Sequence, residues 1–319
     1  MFSLRKTGSG KQSGVWTSLC VHGERADVGR VLAGAAGEKP VVALWESVAL
    51  GKDTLDGLTR LRKRFSLQKS SATTLLQPTE YQLLQLETPA VAEPGEKLEV
   101  FRNRITGMID APIAHVTFDT FDIPTETLSP GRPRNSYAVV AGNAAIAPKV
   151  QLFHHAGIRL KAIDIPELAQ RNLARLCERE GRALAFLAFD ETGGLLTFTA
   201  NGELFMFRRI DVTLTAMLTD DMDRRSTLYD RVGLEGQRSL DNFDRQYGGF
   251  LPLSRLVIAP QPESMPLQGF LKDYLGITVD TLDLAELVDI SGVPELQDPA
   301  RQSQSLQCLG AALRDEVAA

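Results

Sequence analysis

Cysteine is scarce. Cys20, Cys177 and Cys308 are spread over 319 residues with no C-x-x-C pair. That excludes a disulfide framework and a cysteine zinc site, and it predicts a reducing compartment. Histidine is nearly as rare, with four residues. His154 and His155 are adjacent, so on a helix they point about 100° apart and make poor co-ligands for one metal. His22 and His115 stand beside no serine or cysteine motif, and Ser264 is not in a G-x-S-x-G elbow. No run approaches the roughly 18 apolar residues of a membrane span. The best, 137–148, is broken by Gly142 and Asn143. The first residues, Met-Phe-Ser-Leu-Arg-Lys, lack an apolar signal region, and 7–13 is Gly/Ser/Lys-rich and expected to be disordered. A basic stripe is missing too. Net charge is −5 with both signs mixed, which argues against general nucleic-acid binding. The chain is expected to be cytoplasmic.

What is present is enough apolar material for a large core, 43% of the residues. The stretch 184–210 carries the clearest pattern. An apolar run, Asp190-Glu191-Thr192-Gly193-Gly194, a second run, Asn201-Gly202 and a third run read as strand, turn, strand, turn, strand. Asn-Gly between apolar runs is a strong hairpin signal because both residues tolerate positive φ. The first half has the same grammar, with strands at 15–21, 26–32 and 41–45 and a helix at 54–65. A strand at 73–76 follows. A compact module comes next, with a strand at 81–86, a helix at 96–109 and strands at 113–123 and 136–141. Pro148 and Pro166 each read as the opening of a helix, the second running to about Gly181. Past the hairpins, 211–249 reads as charged and helical. A strand at 255–259, a helix at 267–275, a strand at 278–282 and a last amphipathic helix through Leu306, Leu309, Leu313 and Val317 complete the chain.

Two halves emerge, 1–181 and 182–319. The first carries the module at 80–141 and the second a helical insertion at 211–250. An α/β chain built from a duplicated meander with insertions has the two-lobed architecture of the actin-like ATPases, a ribonuclease H-like fold.

Several stretches resemble the PilM-like proteins of type IV pilus machines, most closely the MshI branch from mannose-sensitive hemagglutinin (MSHA) pilus systems. They are Tyr81-Gln-Leu-Leu-Gln-Leu-Glu-Thr-Pro89, Ile109-Asp-Ala-Pro-Ile113, Phe118-Asp-Thr-Phe-Asp-Ile-Pro124, Ile163-Asp-Ile-Pro-Glu-Leu-Ala169 with Arg171-Asn172, and Leu309-Gly-Ala-Ala-Leu-Arg314. The resemblance implies a module shared with the cell-division protein FtsA. It also implies a groove between the first subdomain and that module, which would take the N-terminal cytoplasmic tail of a PilN-like inner-membrane protein. The function it implies is that of a scaffold at the inner-membrane face, without chemistry on a substrate.

Actin-like ATPases hold a nucleotide with three loops, and each can be tested here. The first hairpin turn, His22-Gly23-Glu24-Arg25, lacks the Asp-x-Gly that meets phosphate and reaches Mg²⁺. Asp27-x-Gly29 has the letters but lies within a strand. In the second turn Asp190, Thr192, Gly193 and Gly194 supply acid, hydroxyl and glycines, although the first glycine is one residue late. These four residues are read as a vestigial phosphate loop, with a plain hairpin turn as the alternative. The third loop, from Ala259 to Pro266, has Pro260, Pro262 and Pro266 where Gly-Gly is wanted, plus Glu263. Prolines supply no N–H donors. No cofactor is therefore expected. ATP with Mg²⁺ is the alternative, in a nucleotide-gated protein of the same machine. A third reading is the cytoplasmic part of a type II secretion protein with the same fold.

Among the remaining charges, Asp220, Asp221 and Asp223 read as a solvated helix start. Arg208 and Arg209 read as edge charges or as a face for an acidic partner.

Overall fold

The computed structural model describes residues 15–35, 37–90, 93–125, 131, 133–262 and 265–314. The expectations for 7–13, Glu263, Ser264 and Val317 lie outside them.

Strands β1 (Trp16–His22), β2 (Arg25–Leu32) and β3 (Val41–Ala49) form an antiparallel meander. Helix α1 (Thr54–Phe65) follows. Asp53 caps it by accepting from the Asp56 amide, and Arg62, Lys63 and Arg64 occupy its carbonyl end, where cations are favoured. Strand β4 (Ser71–Leu75) returns parallel to β1. The chain then leaves the sheet for the module: β5 (Tyr81–Glu87), α2 (Pro94–Thr106), β6 (Val116–Ile123) and β7 (Asn135–Gly142). These strands form a three-stranded antiparallel sheet in the order β5-β7-β6. One face packs Leu86, Ala138 and Val140 on Phe101 and Ile105 of α2, and the other presents Tyr137, Val139 and Ala141 to the second half. Helix α3 (Asn143–His155), strand β8 (Leu160–Asp164) and helix α4 (Pro166–Ala174) complete the first half.

The second half repeats the plan. Strands β9 (Ala183–Asp190), β10 (Gly193–Ala200) and β11 (Glu203–Ile210) form the meander. Asn201 and Gly202 both take positive φ in the β10–β11 turn. Helices α5 (Leu214–Met217) and α6 (Met222–Phe243), strand β12 (Leu253–Ile258), helix α7 (Leu267–Leu275), strand β13 (Val279–Thr281) and helices α8 (Leu284–Leu287) and α9 (Pro299–Ala312) follow. The two five-stranded sheets have the orders β3-β2-β1-β4-β8 and β11-β10-β9-β12-β13. Each is a meander extended by two parallel strands on the side of its first member. Every residue of β9 but Asp190 is buried, as a central strand covered on both faces requires.

Helices α4 and α9 lie between the sheets. Helix α4 packs on β9, β10 and β11, and α9 packs on β1 and β2, so each half lends a helix to the other. One core cluster accordingly mixes Val31, Val42 and Trp45 with Leu173, Phe186, Leu306 and Leu309. Polar contacts register the pair. Gln170 Nε2 donates to the carbonyls of Phe186 and Leu195 and to Thr197 Oγ1, and Asn172 Nδ2 donates to the Gly310 carbonyl at 2.9 Å.

Several boundaries differ from expectation, among them β3, which runs to Ala49 and not to 45. Pro148 sits inside α3 rather than at its start, because Ala144, Ala145 and Ala147 favour helix strongly enough to extend it back to Asn143. Helix α2 ends at Thr106, before Ile109. Residues 113–115 are a 3-10 turn leading into β6. Helix α4 stops at Ala174 instead of running to Gly181, since the amides of Leu176 and Cys177 bond three residues back and tighten the chain out of the α-helical path.

Candidate functional site

The second hairpin turn is short. Strand β9 ends at Asp190 and β10 begins at Gly193, leaving Glu191 and Thr192 as the loop. Asp190 Oδ1 accepts from the Thr192 amide and hydroxyl, both at 2.6 Å, so this oxygen is engaged by its own turn. Gly193 has φ +134, and a Cβ there would lie 2.8 Å from the Ile210 carbonyl oxygen. A Cβ on Gly194 would lie 2.6 Å from Cε1 of Phe189. The hairpin itself thus requires both glycines. Glu191 accepts from the Thr215 hydroxyl at 2.6 Å, which ties the turn to α5.

Asp190, Thr192 and Gly193 border a small cavity between the lobes, closed by Arg209 and by Ser303, Leu306 and Gln307 of α9. It leaves about 10 Å³ for the centre of a water molecule. Ligand pockets run to several hundred Å³. The first hairpin turn, between β1 and β2, carries His22 and Arg25 at its two ends. Burial holds the His22 imidazole below its ordinary pKa, and Arg25 and Lys149 add to this, against the opposing charges of Asp27 and Asp190. Asp27 is buried within β2, as its position in the sequence predicts. Its carboxylate meets Arg25 at 3.4 Å and the Gln304 amide at 3.5 Å. Gly29 makes room for α9: a Cβ would lie 2.8 Å from Ser18 Oγ and 2.9 Å from Cys308 Sγ. At the third loop the Met265 amide turns back onto the Pro262 carbonyl, and α7 starts after Pro266 with no side-chain cap.

The centre of this region is a network that the sequence does not announce. Glu167, in the first turn of α4, has no exposed surface. Arg209 Nη2 donates to Glu167 Oε1 and to the Tyr81 hydroxyl, both at 2.6 Å, and Tyr81 donates to Glu167 Oε2. Burial alone would lower the Arg209 pKa, but Glu167 and Tyr81 outweigh it and hold the guanidinium above its usual value. Burial, then the Glu167 charge, pushes the Tyr81 phenol well up. Module, helix α4 and second half meet here. Arg209 is therefore no edge charge, because its partner lies beneath the strand. Arg208 pairs with Glu235 at 2.7 Å. Asp221 caps α6, accepting from the Arg224 amide at 3.0 Å, which is the helix start expected of the acidic run.

No protein-family model matches the chain, and no curated protein does. Among solved structures, a chain of the PilM-PilN type IV pilus biogenesis complex superposes with a TM-score of 0.68 at 18% identity, covering 93% of this chain and 97% of that one. With the two matching sheet orders, that decides the architecture. The fold is actin-like. Weaker likeness extends to a protein of unknown function with actin-like ATPase fold from Bacteroides thetaiotaomicron (TM-score 0.47, 7% identity, 90% and 96% covered). It extends also to the cytoplasmic domain of EpsL, an inner-membrane component of the type II secretion system of Vibrio cholerae (TM-score 0.44, 15% identity, 82% and 93% covered). Within this actin-like frame, Asp190 to Gly194 is the first turn of the second meander. Among the described residues no helix is long and apolar enough to cross a membrane.

Proposed function

We propose that this chain is a non-enzymatic cytoplasmic scaffold of a type IV pilus assembly complex, on the MSHA-like MshI branch. It binds the N-terminal cytoplasmic tail of a PilN-like inner-membrane protein. The observation that carries this reading is the likeness, over almost the whole of both chains, to a chain of the PilM-PilN complex. The MSHA assignment rests on the sequence stretches quoted above. The scaffold role draws support from the cleft. A nucleotide needs far more than about 10 Å³, which is what the cavity bordered by Phe189, Asp190, Leu306 and Gln307 leaves.

The test is a binding titration of the full chain with the N-terminal tail of each inner-membrane protein of the same assembly. Retention of one tail is expected, and retention of none overturns the reading. Thermal unfolding with millimolar Mg²⁺-ATP addresses the cleft. No shift is expected, since only a bound ligand stabilises by RT ln(1 + [L]/Kd). A clear upward shift would favour the second reading, a nucleotide-gated protein.

A further inference from the structure

A cavity of about 360 Å³ opens where the module meets the second half. It lies apart from the nucleotide cleft. It also differs from the groove that the family resemblance implies, which runs between the first half and the module. Half-buried Leu83 of the module and Phe207 of β11 give it an apolar floor, over the buried Tyr137 and Met206. Among the described residues of its lining, Arg208 and Arg238 are the charged ones.

Two features say what fits. The first is charge. Both arginines pair with Glu235, at 2.7 and 3.2 Å, so two guanidinium groups share one carboxylate and the wall keeps a net positive charge. Such a wall selects an acidic ligand and repels a basic one. The second is backbone. Among the described residues β11 pairs with β10 alone, so a strand with one edge unpaired borders the groove, and β5 turns its sheet face to it through Leu83 and Gln85. At the bulge in β11 the fold already uses a carbonyl that the β10 ladder leaves free: that of Phe205 accepts from the Tyr137 and Tyr247 hydroxyls at 3.1 and 3.4 Å. Side chains, not a further strand, cover it there. An open edge beside an apolar floor is what strand addition by an extended peptide uses.

We propose that this groove docks an extended peptide segment of another protein, with apolar side chains seated on Leu83 and Phe207 and a carboxylate at Arg208 and Arg238. Residues 1–14 of this chain are a poor occupant, because they carry Arg5, Lys6 and Lys11 and no acidic residue.

The test pans a phage-displayed library of random dodecapeptides against the full chain. Selected sequences are then synthesised and titrated against wild type, the double variant Arg208→Gln/Arg238→Gln and the single variant Gln85→Glu. Both arginines are more than half exposed and Gln85 is exposed, so all three proteins should fold, with unchanged thermal midpoints as the control. The expected selection is rich in Asp or Glu alternating with apolar residues. Each variant should weaken binding at least about fivefold, the scale of a partly exposed ion pair, and added salt should weaken it further. Selected peptides without an acidic bias, or equal affinity for wild type and variants, overturn the proposal. So does an empty selection. Sedimentation covers the remaining occupant: a wild-type dimer abolished by the double variant would assign the groove to a second copy and overturn the proposal as stated.

Discussion

Arg209 reaches from the last strand of the second meander to Glu167 at the start of helix α4, closing a 2.6 Å ion pair on a carboxylate with no exposed surface. Tyr81 of the module completes the network. Removing one partner of such a pair strands a buried charge. Arg209→Met is expected to cost about 3 kcal/mol, near the low end for buried pairs because a third of the arginine side chain stays wet. Adding Glu167→Met should recover much of the loss. Chemical denaturation of the three proteins checks both expectations. Equal stability of wild type and Arg209→Met would show that the pair contributes nothing.

The crossing of α4 and α9 depends on a hydrogen atom. A Cβ on Gly310 would lie 2.2 Å from the carbonyl oxygen of Ala169, with backbone on both sides. Gly310→Ala should therefore destabilise by about 1–3 kcal/mol, although alanine favours helix over glycine. A neutral or stabilising result in a urea melt would mean that the helices separate at no cost.

His22 predicts a pH dependence. Burial, the leading cause, keeps its folded pKa below the ordinary 6.5, with Arg25 and Lys149 lowering it further and Asp27 and Asp190 opposing. Above 6.5 the imidazole is neutral in both states and its contribution is complete. As pH falls below that value the unfolded chain takes up the proton first, so stability is lost down to the folded pKa. His22→Gln should flatten this part of the stability profile, measured as unfolding free energy between about pH 7.5 and 5.5. An unchanged slope would remove His22 from the account.

The thiols should be silent in the native state. Burial pushes Cys177 up to about 12, and Cys20 is raised well above its usual value by its hydrogen bond with Cys308 and by burial. Cys308 itself is 1% exposed. Because the thiolate is the reactive form, a colorimetric thiol reagent at about pH 8 should titrate none of the three cysteines until denaturant is added. Rapid labelling of the native protein would place one of them differently.

The Asp190 turn and the strand behind it should separate on mutation. Asp190→Ala removes two hydrogen bonds internal to an exposed turn and should cost about 1–2 kcal/mol, with tail binding intact. Phe186 has no exposed surface, and Phe186→Ser should cost at least about 3–5 kcal/mol, the scale of emptying a phenylalanine site. Loss of tail binding in folded Asp190→Ala would give the turn a direct role.

What could be read from the chain is what short-range physics dictates. Period-two apolar runs, Asn201-Gly202 and the glycines at 193 and 194 specify the second meander, because turn torsions and strand alternation act over a few residues. The strand-helix-strand-strand order of the module follows for the same reason, and with it the actin-like class. Helix ends were less legible. Pro148 and the stop at Ala174 balance local propensity against i→i−3 bonding and packing, and sequence shows only the first. The role of Asp190 was open between hairpin and phosphate loop, since acid, hydroxyl and glycine serve either. The structure directs one of its oxygens back onto Thr192 and borders the small cavity beside the turn with Leu306 and Gln307, more than a hundred positions away. Glu167 likewise meets Tyr81 across 86 positions and Arg209 across 42. No local pattern marks such partners. Strand alternation and turn torsions are written in neighbouring residues, whereas the pairing of a buried charge and the width of a cleft depend on how two lobes and their exchanged helices close on one another.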